Sequence, residues 1–130
     1  MTTIKTKWSE PEKQKIEQFL QHSKAILATG DYTIEPKEKN KIFERKYPLK
    51  DCDKKNILKS LSTDDCIGFE PNDNPRYSDS TVFKFIKDVK IPVYGEQQTV
   101  RLYIKQYITD VNKYEVIIVI SFHEEGMHSD

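Results

Sequence analysis

Arg101, Tyr103, Lys105 and Tyr107 fall at every second position, and Ser121 and His123 repeat that spacing downstream. Side chains two apart in an extended chain share a face, so each set can offer its polar groups to one surface. Such groups suit a phosphodiester. RNA carries its own nucleophile, the 2′-hydroxyl. Cleaving it takes a base for that proton, cations for the charge that builds on phosphorus, and an acid for the leaving 5′-oxygen. Histidine titrates nearest neutral pH, which makes His123 the candidate general acid or base. Lys105 and Arg101 can hold the scissile phosphate, with Lys84 and Lys87 as further cations from the preceding segment. Tyr103 can orient the nucleotide or assist proton transfer. This chemistry calls for no metal and no cofactor. The same composition also describes an ordinary solvated strand face, and a lone histidine at a strand end is commonly incidental.

The elements that must position these residues are legible in outline. Ser9, Pro11 and Glu12 open a helix over 10–28, with Ile16, Phe19, Leu20, Ser23, Ile26 and Leu27 on one stripe and Gly30 as the stop. Residues 31–49 are mixed and admit a short strand or a second, basic helix. "DCDKKNILKSL" reads as a shorter helix capped by Asp51. Residues 62–80, with Gly68, Pro71 and Pro75 among Asn, Asp and Ser, read as a loop; its acids lack the spacing of a calcium loop. Strands follow at 81–91, 99–109 and 114–122, joined through Gly95 and "DVNK". In the second of these, Val100, Leu102, Ile104 and Ile108 form the apolar face, interrupted by Gln106. Helices first and an antiparallel meander after them predict a single α+β domain over 9–130, behind a loose tail at 1–8.

The turn near 110–113 decides whether the two polar sets meet. An odd-length loop sets Ser121 opposite Tyr103 and His123 opposite Arg101; an even one sends His123 to the other face. With the odd loop, Tyr103, Lys105 and His123 converge on one face, with Lys87 at its edge.

Bulk properties narrow the classes. The 130 residues carry 21 basic and 21 acidic side chains, so bulk charge gives no grip on nucleic acid. Between residues 84 and 107, however, Lys84, Lys87, Lys90, Arg101 and Lys105 outnumber Asp88 and Glu96, so a local basic face is available. The lysines of 37–59 alternate with acids and read as solvated surface. Cys52 and Cys66 lack metal-ligand spacing and read as reduced thiols; His22 and His128 read as incidental. No signal-peptide pattern and no apolar run of membrane-spanning length is visible, which predicts a cytoplasmic protein without membrane contact.

In the C-terminal half, "KNKIFERKYPL", "ILKSLSTDDCIGFEPND", "STVFKFIKDVKI" and "LYIKQ" followed by "VIIVISFHEE" stand in an order that resembles the MqsR-type toxins of bacterial toxin–antitoxin pairs, among the RelE-like RNases. The resemblance covers roughly residues 39–126. It implies a RelE-like α+β fold, with N-terminal helices packed on a curved antiparallel sheet. It also implies metal-independent mRNA cleavage, a cognate antitoxin as protein partner and the ribosome as an optional one. Tyr103 and Lys105 fall on the family's tyrosine-x-lysine strand, His123 on the basic residue after "SF", and Lys87 near a lysine that follows an aromatic strand. Lys84 stands where certain members have glutamine, and Pro71 or Asn72 where some have lysine. The rival reading is a non-catalytic RNA- or protein-binding module of the same fold, from a phage or mobile element; the balanced charge favours it.

Overall fold

Ser9 begins the first helix as the sequence predicts. In the computed structural model, which describes residues 8–30, 32–77 and 79–126, its hydroxyl accepts from the Glu12 amide while the Glu12 carboxylate accepts from the Ser9 amide. The helix α1 runs Glu10–Thr29 and buries the expected stripe, Ile16 through Leu27. Two shorter helices follow, α2 at Glu38–Lys46 and α3 at Asp51–Lys59; Asp51 is the first residue of α3 rather than its cap, which is Lys50, whose amide donates to the Asp53 carboxylate. The mixed segment before them holds both of its alternatives, because strand β1, Tyr32–Ile34, precedes α2.

The remaining strands are β2 Cys66–Pro71, β3 Thr81–Val93, β4 Glu96–Val111 and β5 Tyr114–Glu124. They form one sheet in the order β1-β5-β4-β3-β2. Neighbours from β2 to β5 are antiparallel, and β1 adds a parallel edge, so the α+β reading stands on a mixed sheet. The segment expected as loop at 62–80 contains β2. Its Phe69 fits a half-buried edge position opposite Phe83, a tertiary partner that local composition does not reveal. Residues 1–7 of the expected tail, and His128, lie outside the described residues; Trp8 stacks on Phe69 with centroids 5.7 Å apart.

The core lies between the helices and one face of the sheet. Phe19 of α1 stacks on Phe83 at 4.1 Å, and Phe43 of α2 meets Phe122 edge-on at 5.7 Å. Phe85, Leu102, Ile104, Ile117 and Val119 complete this layer at 0% exposure, a burial that supplies the main driving force for folding. Cys66 is buried within it, and desolvation raises its thiol to about 11, which keeps it protonated and unreactive at neutral pH.

Candidate functional site

Of the two turn lengths left open, the even one is observed, and a bulge rather than the turn builds the polar face. Asn112 and Lys113 make the two-residue turn, both with positive φ (52° and 72°), as a hairpin turn that matches strand twist requires. From there the ladder runs Val111↔Tyr114 to Gln106↔Val119. Continued unbroken, it would set Tyr103 opposite Phe122 and press His123 against the buried Leu102. Between Gln106 and Lys105 the register shifts by one. Ile120 is the extra residue, and beyond it Lys105 faces Ser121 and Tyr103 faces His123.

Asn40 holds that bulge. Its Nδ2 donates to the carbonyls of Ile120 and Glu35, each at 2.9 Å, and its Oδ1 accepts from the Phe122 amide at 2.9 Å. β1 ends at Ile34, and the Glu35 amide makes the last backbone bond to β5, to Val119. The Asn40 side chain then takes over the edge of β5 where backbone pairing stops.

The result is an open pocket of about 460 Å³. Tyr103, Lys105, Ser121 and His123 form its floor, and Lys37, Glu38, Lys39 and Asn40, at the start of α2, form its wall. The Tyr103 and His123 rings lie 5.7 Å apart. His123 is 3% exposed, and its Nδ1 sits 2.9 Å from the Glu124 carbonyl. A carbonyl only accepts, so that partner assigns a proton to Nδ1. Burial pushes the Tyr103 phenol above its ordinary value, with Lys84 opposing and Glu70 reinforcing, so it remains a proton donor at neutral pH. Lys105 forms no ion pair among the described residues. Lys84 lies directly opposite it, with its ammonium 2.9 Å from Glu70. The hydrogen bond from Lys84, then the charges of Lys84 and Lys105, hold the Glu70 carboxyl below its usual range.

The other expected cations stand apart from this pocket. Arg101 shares the face but lies beyond His123, where it forks onto Asp88 at 2.9 and 3.4 Å. Lys87 does not join the site. It pairs in register with the buried Leu102, on the core-side face, and its ammonium lies 3.5 Å from Asp65. The reason is parity: Lys84 and Lys87 are three apart in one strand and cannot share a face. Lys37 and Lys39, grouped above with solvated lysines, line the pocket instead. No local pattern marks them or Asn40, because β5 reaches them only through the tertiary fold.

A second, wider groove of about 800 Å³ lies between α1 and the β4–β5 turn. His22, expected to be incidental, bonds Glu115 across it at 2.9 Å. Among the described residues no cluster of His, Cys, Asp or Glu could hold a metal ion, and no helix is long and apolar enough to cross a membrane. Compared with protein-family models, with curated proteins and with solved structures, the chain matches none.

Proposed function

We propose that the pocket under α2 binds and cleaves RNA, and that the protein is an endoribonuclease toxin of a toxin–antitoxin pair, held in check by a cognate antitoxin and directed at mRNA. One observation carries this reading: a base, a proton donor and a cation with no ion pair among the described residues, His123, Tyr103 and Lys105, line one pocket on adjacent strands. In the reaction, His123 Nε2 takes the 2′-hydroxyl proton as the 2′-oxygen bonds to phosphorus. Lys105 balances the charge of the phosphorane, with Lys84 behind it. The bond from phosphorus to the 5′-oxygen breaks as Tyr103 gives that oxygen a proton. The products are a 2′,3′-cyclic phosphate and a free 5′-hydroxyl. Every group needed comes from this chain or from the RNA.

The test is single-turnover cleavage of a short RNA in EDTA. Lys105→Ala is expected to slow cleavage by about 10²–10³ while weakening RNA binding far less, as loss of transition-state stabilisation does. Lys24→Ala, on the exposed face of α1, serves as the surface control. A substrate with 2′-deoxyribose at the cut site should be inert. Equal losses of rate and affinity in Lys105→Ala would make the face a grip, as the binding-module reading requires. Cutting of the deoxy substrate would remove the 2′-hydroxyl mechanism.

A further inference from the structure

Four strands set one row of residues across the polar face. Gly68 of β2 pairs with Lys84 of β3, Lys84 with Lys105 of β4, and Lys105 with Ser121 of β5. Partners in register share a face. From the pocket outward the row therefore reads Ser121, Lys105, Lys84 and an open position at Gly68, where a Cβ would meet nothing within 4 Å. Two lysines thus stand side by side, with Cβ atoms about 5 Å apart. The carboxylate that offsets them is Glu70. It accepts from the Lys84 ammonium at 2.9 Å. That hydrogen bond, and then the charges of Lys84 and Lys105, favour its ionised form.

The pair is unequal in two ways. One carboxylate serves two ammonium groups. It is also the more accessible partner, with 49% of the Glu70 side chain exposed against 27% for Lys84. Ion pairs this open to water contribute little net stability, so Glu70 can return to solvent while Lys84 stays on the sheet. A phosphodiester offers the same chemistry as the carboxylate, anionic oxygens that accept from an ammonium. The open ground at Gly68 leaves room for a strand that crosses the row.

We propose that Glu70 is an internal stand-in for a substrate phosphate: it holds Lys84 in the free protein and yields it to the phosphodiester next to the one at Lys105. The identity of the scissile phosphate rests on the ribonuclease reading; the exchange of one anion for another at Lys84 does not. An RNA already held at Lys105 presents its next phosphate to Lys84 at high local concentration, which drives the exchange. Glu70 therefore acts as a brake on binding, since every strand that enters must displace it.

The experiment measures binding of a short 2′-O-methyl RNA to the full chain. This probe has no free 2′-hydroxyl and cannot be cut by the proposed route. Glu70→Gln keeps the shape and removes the charge. It should bind the probe roughly two- to fivefold more tightly at low salt, the factor that loss of an exposed ion pair converts to. Its affinity should fall more steeply with salt, by about 0.7 in the log–log slope, because one more ammonium then releases a counterion from the strand. Glu70→Gln should unfold near the parent temperature at neutral pH. In a Lys84→Ala background the same substitution should gain little. Equal gains with and without Lys84 would reduce Glu70 to a diffuse repelling charge and overturn the exchange, as would parent-like affinity and salt slope in Glu70→Gln. With cleavable RNA, Glu70→Gln should lower KM and leave kcat near the parent value, because a flanking phosphate is held alike in ground and transition states. A change confined to kcat would place Glu70 on the reacting phosphate and overturn the flanking role. Tighter probe binding by Glu70→Gln, with no RNA cut by the parent, would support the exchange and overturn the ribonuclease reading.

Discussion

Asn40→Ala should misplace His123 without touching it. The substitution removes three hydrogen bonds, to Glu35, Ile120 and Phe122. At about 0.5–1.5 kcal/mol net for each bond, the loss sums to about 1.5–4.5 kcal/mol. Asn40 is 6% exposed but lies between the main pocket and a smaller cavity beside Phe43, so water can partly re-satisfy the freed groups; the lower half of that range is expected. For a chain of this size it corresponds to a fall in Tm of roughly 10 °C. A second effect is structural. Without its clamp, β5 can slip to the unbulged register, which sets Ile120 opposite Lys105, Ser121 opposite Ile104 and His123 opposite Leu102. Asn40→Asp keeps the acceptor for the Phe122 amide but loses both donors and sets a carboxylate against two carbonyls, so it should be at least as damaging as Ala. Urea unfolding measures the stability loss. The nuclear Overhauser contact between the Tyr103 and His123 rings, observed well below the unfolding midpoint, reports the register. A loss under about 0.5 kcal/mol, with the ring contact intact, would refute the claim that Asn40 holds the bulge.

Three further outcomes test other parts of the molecule. Induced expression without antitoxin should arrest bacterial growth, and His123→Ala should relieve that arrest while the protein stays folded, since losing a general acid or base costs about 10²–10⁴ in rate; unchanged arrest in the variant would remove His123 from the mechanism. Gln106 is 1% exposed and neither end of its amide has a partner among the described residues, so Gln106→Met should stabilise the fold by about 1–3 kcal/mol in urea unfolding. The Glu70 and Asp88 carboxyls are held below their ordinary values, chiefly by hydrogen bonds from Lys84 and Arg101. Their contribution is therefore complete above the ordinary carboxylate range and declines as pH falls through their depressed folded values; the pair Glu70→Gln and Asp88→Asn should flatten the acid limb of the stability–pH curve.

Periodicity carried the fold where one element's own pattern was enough. The stripe of α1 and the alternation Val100, Leu102, Ile104 in β4 reappear as buried residues because each faces a single apolar layer. Strand β2 escaped because "CIGFEP" alternates weakly and includes Gly68 and Pro71, both poor strand formers. It is a strand because Phe69 finds Phe83 and Trp8. The parallel strand β1 escaped for a related reason: three residues are too few for any pattern, and their pairing to Ile117–Val119 depends on where α1 returns the chain.

The site was legible only as far as spacing within one strand reaches. Tyr103 and Lys105 share a face by that rule, and Lys87 breaks it against Lys84. Between strands, turn parity was the wrong variable taken alone. The two-residue turn at Asn112 and Lys113 would turn His123 toward the core, and the extra residue at Ile120 reverses that outcome. A bulge leaves little trace in its own strand, since "VIIVISF" reads equally well in either register. What selects the bulged register is Asn40, 80 residues upstream, whose amide matches the groups that a displaced Ile120 leaves open. The same residue belongs to the turn whose lysines face the pocket, so the contact that pins the bulge also brings the α2 wall over the floor. Positioning of His123 and closure of the pocket are therefore one structural event, and substitutions at Asn40 should degrade RNA binding and cleavage together, whereas those at His123 should degrade cleavage alone.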